Sequence, residues 1–237
     1  MATGTLFLIP NTLGGEQLDN IIPPAVAETA IQLRHFAVEE IKSARRFLRK
    51  IDRQFPIDDS EFVIMNKNTA APELMGLIRL LKNGENVGVL SEAGCPGIAD
   101  PGAVLTALAH EHNIRVSPMV GPSSILLTLI GSGFNGQQFT FHGYLPKDKK
   151  ERVRKMKDLE ARVRKSGETQ LFMDTPFRNM HVLDDLLNEL SDDTYLCVAT
   201  NLTLPDEHIN TRAIVDWREN AFDLAKNPTM FALGKKQ

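Results

Sequence analysis

The chain has 237 residues, of which 42% are hydrophobic and 24% are charged, and its formal net charge at pH 7 is −3. These proportions are typical of a globular protein with one large or two small domains, and they exclude global disorder. They also exclude an attraction of the whole molecule to nucleic acid, so any contact with RNA would come from a local basic patch.

The cysteine content and the hydropathy of the sequence indicate the cellular compartment of the protein and whether it binds zinc or a membrane. Two cysteines, Cys95 and Cys197, are too few for a disulfide framework, and they lack the spacing of a zinc site. No apolar run reaches the roughly 18 residues of a membrane span, and residues 6–10 are too short and lack the basic flank of a signal peptide. We therefore expect a cytoplasmic protein without a metal ion or a membrane contact.

The first half of the chain alternates short apolar runs with amphipathic segments. Strands are predicted at residues 5–9, 35–39, 62–65, 87–90 and 114–119. Helices are predicted to begin at Pro23 or Pro24, at Ile41, at Thr69 as the cap, and at Val104, and Gly84 is predicted to end the third of them. This alternation predicts a parallel, doubly wound α/β domain, which we place at residues 1–118.

The second half, residues 119–237, is predicted to form another α/β domain with more antiparallel pairing. Strands are predicted at residues 138–144, 169–173, 195–200, 208–215 and 229–233. Helices are predicted at residues 125–130 with Ser123 as the cap, and at residues 147–165, 182–190 and 217–226.

Two of the predicted helices carry a dense basic face. Residues 42–53 include Lys42, Arg45, Arg46, Arg49, Lys50 and Arg53, and residues 147–165 include Arg152, Arg154, Lys155 and Arg164. One interpretation is a solvated helix surface. The other is a surface that contacts RNA phosphates, because neutralising phosphates needs clustered Lys and Arg but no base-specific geometry.

Residues 91–102 form a loop, rich in glycine and proline, directly after a buried strand. Gly94, Gly97 and Gly102 permit backbone angles that other residues avoid, while Pro96 and Pro101 fix φ and remove amide donors. Open α/β sheets hold ligands at the carboxyl ends of their strands, so this loop is a candidate ligand site. It matches neither a GxGxxG nor a Walker pattern, and a purely structural connection is the alternative.

This loop carries a family resemblance. The sequence LSEAGCPGIADPG at residues 90–102 resembles a block of the tetrapyrrole methylase superfamily, in its ribosomal RNA small subunit methyltransferase I branch. Further blocks that follow the same order lie at residues 9–10, 121–124, 141–146, 171–178, 199–203 and 230–234. The similarity spans nearly the whole chain.

The resemblance implies a homodimeric methyltransferase of two α/β domains that holds S-adenosylmethionine in a cleft between them. It also implies that the acceptor is a ribose 2′-hydroxyl of small-subunit ribosomal RNA. Carried over position by position, the expected cofactor-binding residues are Pro10, Ser91, Glu92, Ala93, Gly94, Ile98, Ser123, Ser124, Phe172, Met173, Ala199, Leu202, Pro228 and Met230.

A hydroxyl acceptor must lose a proton, so a nearby base would help methyl transfer. Glu92 and Asp174 are the carboxylates that the sequence places best for this role, although each could instead bind cofactor hydroxyls or make a structural hydrogen bond. We expect His142 and His181 to be ordinary histidines. Cys95 is a poor candidate nucleophile because no partnering base is evident.

Two departures from the family pattern bear on the substrate. The first loop reads PNTLGG at residues 10–15 where the family has a PTPIGNL-like segment, and Thr200 and Asn201 stand where the family has Arg and Glu. Two alternatives therefore remain. One is a methylase of a tetrapyrrole or another small molecule, and the other is a non-catalytic cofactor-binding paralogue.

Overall fold

The computed structural model of the protein describes residues 3–15, 17–66, 68–220, 223–224 and 226–236. The chain forms two compact units, Met1–Ser123 and Ser124–Gln237. Each is built on one five-stranded sheet. None of the helices in these described stretches combines the length and the apolar composition needed to cross a bilayer.

The first unit confirms the predicted parallel α/β architecture. Its strands are β1 (Thr5–Ile9), β2 (His35–Val38), β3 (Glu61–Ile64), β4 (Val87–Leu90) and β5 (Arg115–Pro118), and its α-helices are α1 (Pro24–Gln32), α2 (Ile41–Ile51), α3 (Met75–Lys82) and α4 (Gly102–Glu111). The strand order is β3-β2-β4-β1-β5, and every pair is parallel. All carboxyl ends therefore meet at one edge of the sheet.

Helices cover both faces of this sheet, which explains why the central strand is apolar throughout. Val87 and Val89 pack with residues of α3 and α4, whereas Leu90 packs on the opposite face with residues of α1 and α2. A Cβ added at Gly88 would lie 2.8 Å from Ile9 Cδ1 and 2.9 Å from Leu33 Cδ1. The absence of a side chain there lets α1 pack close to β4.

The second unit confirms the predicted mixed sheet. Its strands are β6 (Phe139–Tyr144), β7 (Thr169–Met173), β8 (Tyr195–Thr200), β9 (His208–Ala213) and β10 (Thr229–Gly234), and its α-helices are α5 (Ser124–Ser132), α6 (Lys149–Ser166), α7 (Asn179–Glu189) and α8 (Ile214–Glu219). The order is β6-β7-β10-β8-β9, in which only β6 and β7 are parallel. The central strand β10 is buried along its whole length.

Aromatic residues fill the larger core of the second unit. The rings of Phe172 and Phe231 stack with centroids 5.6 Å apart. Trp217 is fully buried in the same cluster, and its indole Nε1 donates a hydrogen bond to the Leu196 carbonyl at 2.9 Å. This bond satisfies the one polar atom of the side chain.

Two predicted element boundaries are wrong. Thr69 does not cap α3, because its hydroxyl accepts a hydrogen bond from the Asn66 amide and a 3-10 turn, Ala71–Leu74, precedes the helix. The β-branched Ile214 and Val215 suggested strand, yet Ile214 and Trp217 are buried three residues apart, which is helical spacing. Helix α8 therefore begins earlier than predicted and ends at Glu219, and residues 221, 222 and 225 of the predicted segment lie outside the described residues.

The placement of Arg152 on the basic outer face of α6 is also wrong. Its side chain is 8% exposed and donates to Asp185 Oδ2 from Nε at 2.9 Å and from Nη2 at 2.6 Å. Nη1 donates to the Lys147 carbonyl at 3.0 Å. Helix α7 thus presents a buried carboxylate that draws this arginine inward, while Val153 is left partly exposed.

Removal of Asp185 tests the importance of this buried pair. Asp185→Ala leaves the Arg152 charge buried without its counter-ion, and we expect a loss of about 3–5 kcal/mol in the free energy of unfolding. The measurement is urea unfolding followed by the fluorescence of Trp217, the only tryptophan.

Lys157→Ala is the control, because it removes an exposed ion pair with Glu189, and we expect it to cost less than about 1 kcal/mol. Similar small effects of both substitutions would contradict the assignment.

Candidate functional site

The loops after β1 and β4 are joined by hydrogen bonds at the carboxyl edge of the first sheet. The Asn11 amide donates to the Gly94 carbonyl at 2.9 Å, and the Gly94 amide donates to the Asn11 carbonyl at 3.2 Å. Asn11 Nδ2 also donates to the carbonyls of Ser91 and Glu92, at 3.2 and 3.1 Å. One asparagine thus fixes the start of the loop that carries the family block.

The loop after β5 completes this edge. A Cβ added at Gly121 would lie 2.2 Å from Pro10 Cβ and 2.3 Å from Pro10 Cγ, so the two loops are in direct contact. Cys95 Sγ donates to the Pro122 carbonyl at 3.4 Å. Burial, with a smaller effect of Asp100, raises the pKa of the Cys95 thiol. The thiol therefore stays protonated, which agrees with the expectation that it is not a nucleophile.

The glycine-rich loop is held in a fixed shape by its own side chains. The Ser91 hydroxyl donates to the Gly94 carbonyl at 2.9 Å, and Asp100 Oδ1 accepts from the amides of Gly97 and Gly102. Gly94 and Gly97 have φ values of 69° and 84°, a region that favours glycine. These hydrogen bonds and backbone angles fix the course of the loop, on which Glu92 and Ile98 are exposed.

Three carboxylates gather on one side of the loop. Glu39, which directly follows β2, accepts a hydrogen bond from the Glu92 amide and lies near the carboxylates of Asp100 and Glu92. Burial raises the pKa of Glu39, and repulsion by Asp100 and Glu92 adds to the rise. Burial also raises the pKa of Asp100, against the effect of its two backbone hydrogen bonds. This side of the site is anionic.

A small cavity lies between the first loop, the glycine-rich loop and α2. Its volume is about 190 Å³. The lining residues are Asn11, Thr12, Leu13, Gly14, Ser43, Arg46, Phe47, Lys50, Glu92 and Ala93. The exposed guanidinium of Arg46 and the Lys50 ammonium, which donates to the Gly15 carbonyl at 3.0 Å, supply its positive charge.

The predicted residues of the first unit all lie on loops at this carboxyl edge. Pro10, Ser91, Gly94 and Ser123 are buried, whereas Glu92, Ala93 and Ile98 are exposed. The hydrogen bonds described above bring Pro10 and residues 91–94 together. Ile98 lies further along the loop, with 49% of its surface accessible. Cofactor binding by these residues stays a prediction.

The second unit also brings its predicted residues to one sheet edge. Met230 of β10 is paired with Met173 of β7 on one side and with Ala199 of β8 on the other. Leu202 is buried just beyond β8, and the carbonyl of the exposed Pro228 accepts from the Asn201 amide at 3.1 Å. The Phe172 side chain lies in the core, and Ser124 begins α5. Their role stays a prediction too.

Asp174, the second predicted base, directly follows β7 and its side chain is fully buried. It forms an ion pair with Arg178, and its Oδ1 accepts from the Thr175 amide at 2.6 Å. Among the described residues, Asp174 Oδ2, Arg178 Nη1 and Asn179 Oδ1 are buried without a hydrogen-bond partner. The ion pair suits a positioning role better than proton abstraction, and the catalytic role stays a prediction.

Three features of the site were not predicted from the sequence: the hydrogen bonds of Asn11, the position of Glu39, and the presence of Arg46 in the same cavity lining as Glu92 and Ala93. Glu39 follows the apolar end of a strand, and the carboxyl ends of parallel strands meet at one edge, so its position was available as a signal. Asn11 lies in the first loop, whose sequence departs from the family pattern, so the family resemblance assigned it no role. The inward face of α2 could be found only once the strand order was known.

Glu39 and its neighbour Glu40 give opposite predictions for the pH dependence of stability. The raised pKa of Glu39 means that its favourable contribution is complete below its ordinary pKa and is lost as pH rises through the folded-state value. Glu39→Gln keeps an acceptor for the Glu92 amide. We expect it to raise the unfolding temperature at pH 7 by about 1–2 °C, because solvent screens a partly exposed carboxylate, and to lose this advantage near pH 4.

Glu40→Gln is the matched control. The Glu40 carboxylate caps α2 by accepting from the Lys42 and Ser43 amides, and these bonds lower its pKa. Its contribution is present above the ordinary pKa and is lost as pH falls through the folded-state value. We therefore expect a lower unfolding temperature at pH 7, measured by scanning calorimetry. Shifts of the same sign for both variants would contradict the assignment.

A family model and individual relatives both assign this sequence to the same protein family. Residues 23–214 match the family described as Tetrapyrrole (Corrin/Porphyrin) Methylases. Ribosomal RNA small subunit methyltransferase I from Buchnera aphidicola subsp. Schizaphis graminum is 28% identical over 218 residues, which covers 91% of this chain and 72% of the relative. The protein of the same name from Synechocystis sp. is 30% identical over 200 residues, covering 84% and 67%.

Solved structures agree on the fold. The crystal structure of diphthine synthase superposes with a TM-score of 0.69 at 13% identity, covering 99% of this chain and 91% of that one. The crystal structure of the methyltransferase CobJ gives a TM-score of 0.61 at 16% identity, covering 99% and 95%. The family match, the relatives and the two sheets together establish that this chain is a methyltransferase and belongs to the tetrapyrrole (corrin/porphyrin) methylase family.

Proposed function

We propose that the protein transfers a methyl group from S-adenosylmethionine to a ribose 2′-hydroxyl of small-subunit ribosomal RNA. The observation that carries the proposal is the three-loop edge of the first sheet, in which Asn11 and Gly121 hold the family block in place. The names of the relatives support RNA as the acceptor.

The loops of this edge offer a bound ligand a surface of fixed shape. Positive φ at Gly94 and Gly97, the hydrogen bonds between Gly94 and Asn11, and the close approach of Gly121 to Pro10 give these loops one defined shape. S-adenosylmethionine, when bound, supplies an activated methyl group on a sulfonium. The protein then has to hold the acceptor in line with that group, which a rigid loop does better than a mobile one.

The carboxylates of the edge suit the charge changes of this reaction. Glu39, Glu92 and Asp100 place negative charge where a cationic sulfonium is expected, and this charge favours its binding. Glu92 is exposed, so it can accept the proton of an incoming hydroxyl. Glu39, bonded to the Glu92 amide, then acts as a positioning residue for Glu92.

The proposal includes RNA as a partner of the two basic helices. On α6, Lys150, Arg154 and Lys165 are exposed, whereas Arg152 forms a buried ion pair with Asp185. On α2, Lys42, Arg46 and Arg49 are exposed. The family resemblance adds a homodimer, and the cysteine content and hydropathy of the sequence add a cytoplasmic location; we retain both as parts of the proposal.

Cofactor binding is tested by calorimetry with S-adenosylhomocysteine. The wild type should bind it, and Gly121→Ala should weaken binding about tenfold or more, because the new Cβ displaces Pro10 and the loop behind it. Gly76→Ala is the control, since a Cβ there has no neighbour within 4 Å. No binding by the wild type at millimolar ligand, or equal binding by both variants, would contradict this part of the proposal.

The acceptor is tested with cofactor labelled in its methyl group. We expect label in unmethylated small ribosomal subunits, at a ribose that resists alkaline cleavage, and none in a porphyrinogen. Glu92→Gln should lower the rate about 10²–10⁴-fold, whereas the exposed Glu111→Gln should leave it unchanged. Label in the porphyrinogen alone would favour the small-molecule methylase, and label in neither would favour a non-catalytic paralogue.

A further inference from the structure

The cavity between α2 and the two loops has opposite charges on its two sides. Arg46 and Lys50 lie on the α2 side, and Glu92 lies on the side of the glycine-rich loop. Glu39 accepts a hydrogen bond from the Glu92 amide and lies near the carboxylates of Glu92 and Asp100, so further negative charge is close to Glu92 although neither Glu39 nor Asp100 lines the cavity. A ligand that fits this arrangement carries an anionic group at one end and a neutral, proton-bearing group at the other.

The cationic side is built to hold an anion in place. The Lys50 ammonium is anchored on the Gly15 carbonyl at 3.0 Å, which fixes its charge beside the first loop. Arg46 makes no ion pair with any residue in the described part of the chain. Its planar guanidinium can bind two oxygens of one phosphate at once.

The size of the cavity limits what can enter it. A volume of about 190 Å³ is below the roughly 300–1,000 Å³ of pockets that enclose drug-sized ligands. A volume of this size matches a small polar fragment better than a whole macrocycle. A single sugar with its phosphate is of suitable size, and the partly exposed Leu13 supplies an apolar contact for the sugar.

We propose that this cavity binds the acceptor nucleotide of the RNA, with its phosphate on Arg46 and Lys50 and its ribose hydroxyl toward Glu92. This inference rests on the proposed function and adds a position for the acceptor. The phosphate contact carries no sequence information, but it fixes the register of the nucleotide against the loop. The site lies within residues 11–93 of the first unit.

The neighbouring arginine provides a matched control. Arg45 is also exposed and lies on the same turn of α2, but its guanidinium stacks over the Phe62 ring, 5.5 Å from the centroid, and it does not line the cavity. Arg45→Gln and Arg46→Gln therefore remove the same charge from the same helix. Only Arg46→Gln removes it from the cavity.

The experiment compares these variants in methylation and in RNA binding. For Arg46→Gln we expect kcat/KM toward small ribosomal subunits to fall about tenfold or more, since a hydrogen bond to a charged group is lost. The slope of log affinity against log salt, measured on transcribed small-subunit RNA, should shrink by about 0.7, the value for one phosphate on a single strand. Arg46→Lys should recover part of both effects, and S-adenosylhomocysteine affinity should be unchanged in all variants.

Equal kcat/KM and equal salt slopes for Arg45→Gln and Arg46→Gln, in a wild type that methylates RNA, would overturn the cavity assignment and leave the proposed function standing. A wild type that binds S-adenosylhomocysteine but labels no RNA would overturn the proposed acceptor. In that case the salt dependence of RNA affinity still tests the cavity: a smaller slope for Arg46→Gln than for Arg45→Gln would support an RNA phosphate there, and equal slopes would reject it. A loss of porphyrinogen methylation in Arg46→Gln would assign the anion to a substrate carboxylate and reject the phosphate.

Discussion

The candidate site depends on the pairing of β4 between β1 and β2. Because these three strands are parallel, the segments that follow them leave the sheet at the same edge, and Asn11 then joins the first loop to the family block through backbone and side-chain hydrogen bonds. Neighbouring strands alone would place the loops close together. The asparagine bonds and the contact between Gly121 and Pro10 give them one defined arrangement.

This arrangement concentrates like charges at an energetic cost. Glu39 and Asp100 both have raised pKa values because the fold buries them, and Glu39 also faces neighbouring carboxylates. Functional sites commonly keep such unfavourable groups where a charged ligand can compensate them. The cations of α2 lie on the far side of the small cavity, so the two charge groups are separated by the space in which we place the acceptor.

The sequence predicted most of the fold and only part of the site. Apolar runs and alternating segments located all ten strands among the described residues, and the composition of the glycine-rich loop excluded regular structure there. Arg152 was misplaced because helical periodicity cannot reveal a partner such as Asp185 on another helix. The α8 boundary was missed because β-branched residues favour strand until packing decides otherwise. Glu39 was not predicted as a site residue, because the strand order that brings it close to Glu92 and Asp100 cannot be read from the sequence.

The separation along the chain between the bonded loops has a consequence for biosynthesis. Asn11 and Ser91 are 80 positions apart, so no local segment of the polypeptide contains the site. A ribosome-bound chain must have released residue 94 before the first loop can find its partner, and until then the amino-terminal segment is exposed to proteases and chaperones. The edge exists only when the ends of β1 and β4 are side by side, and a ligand that recognises it selects chains in which this pairing is present.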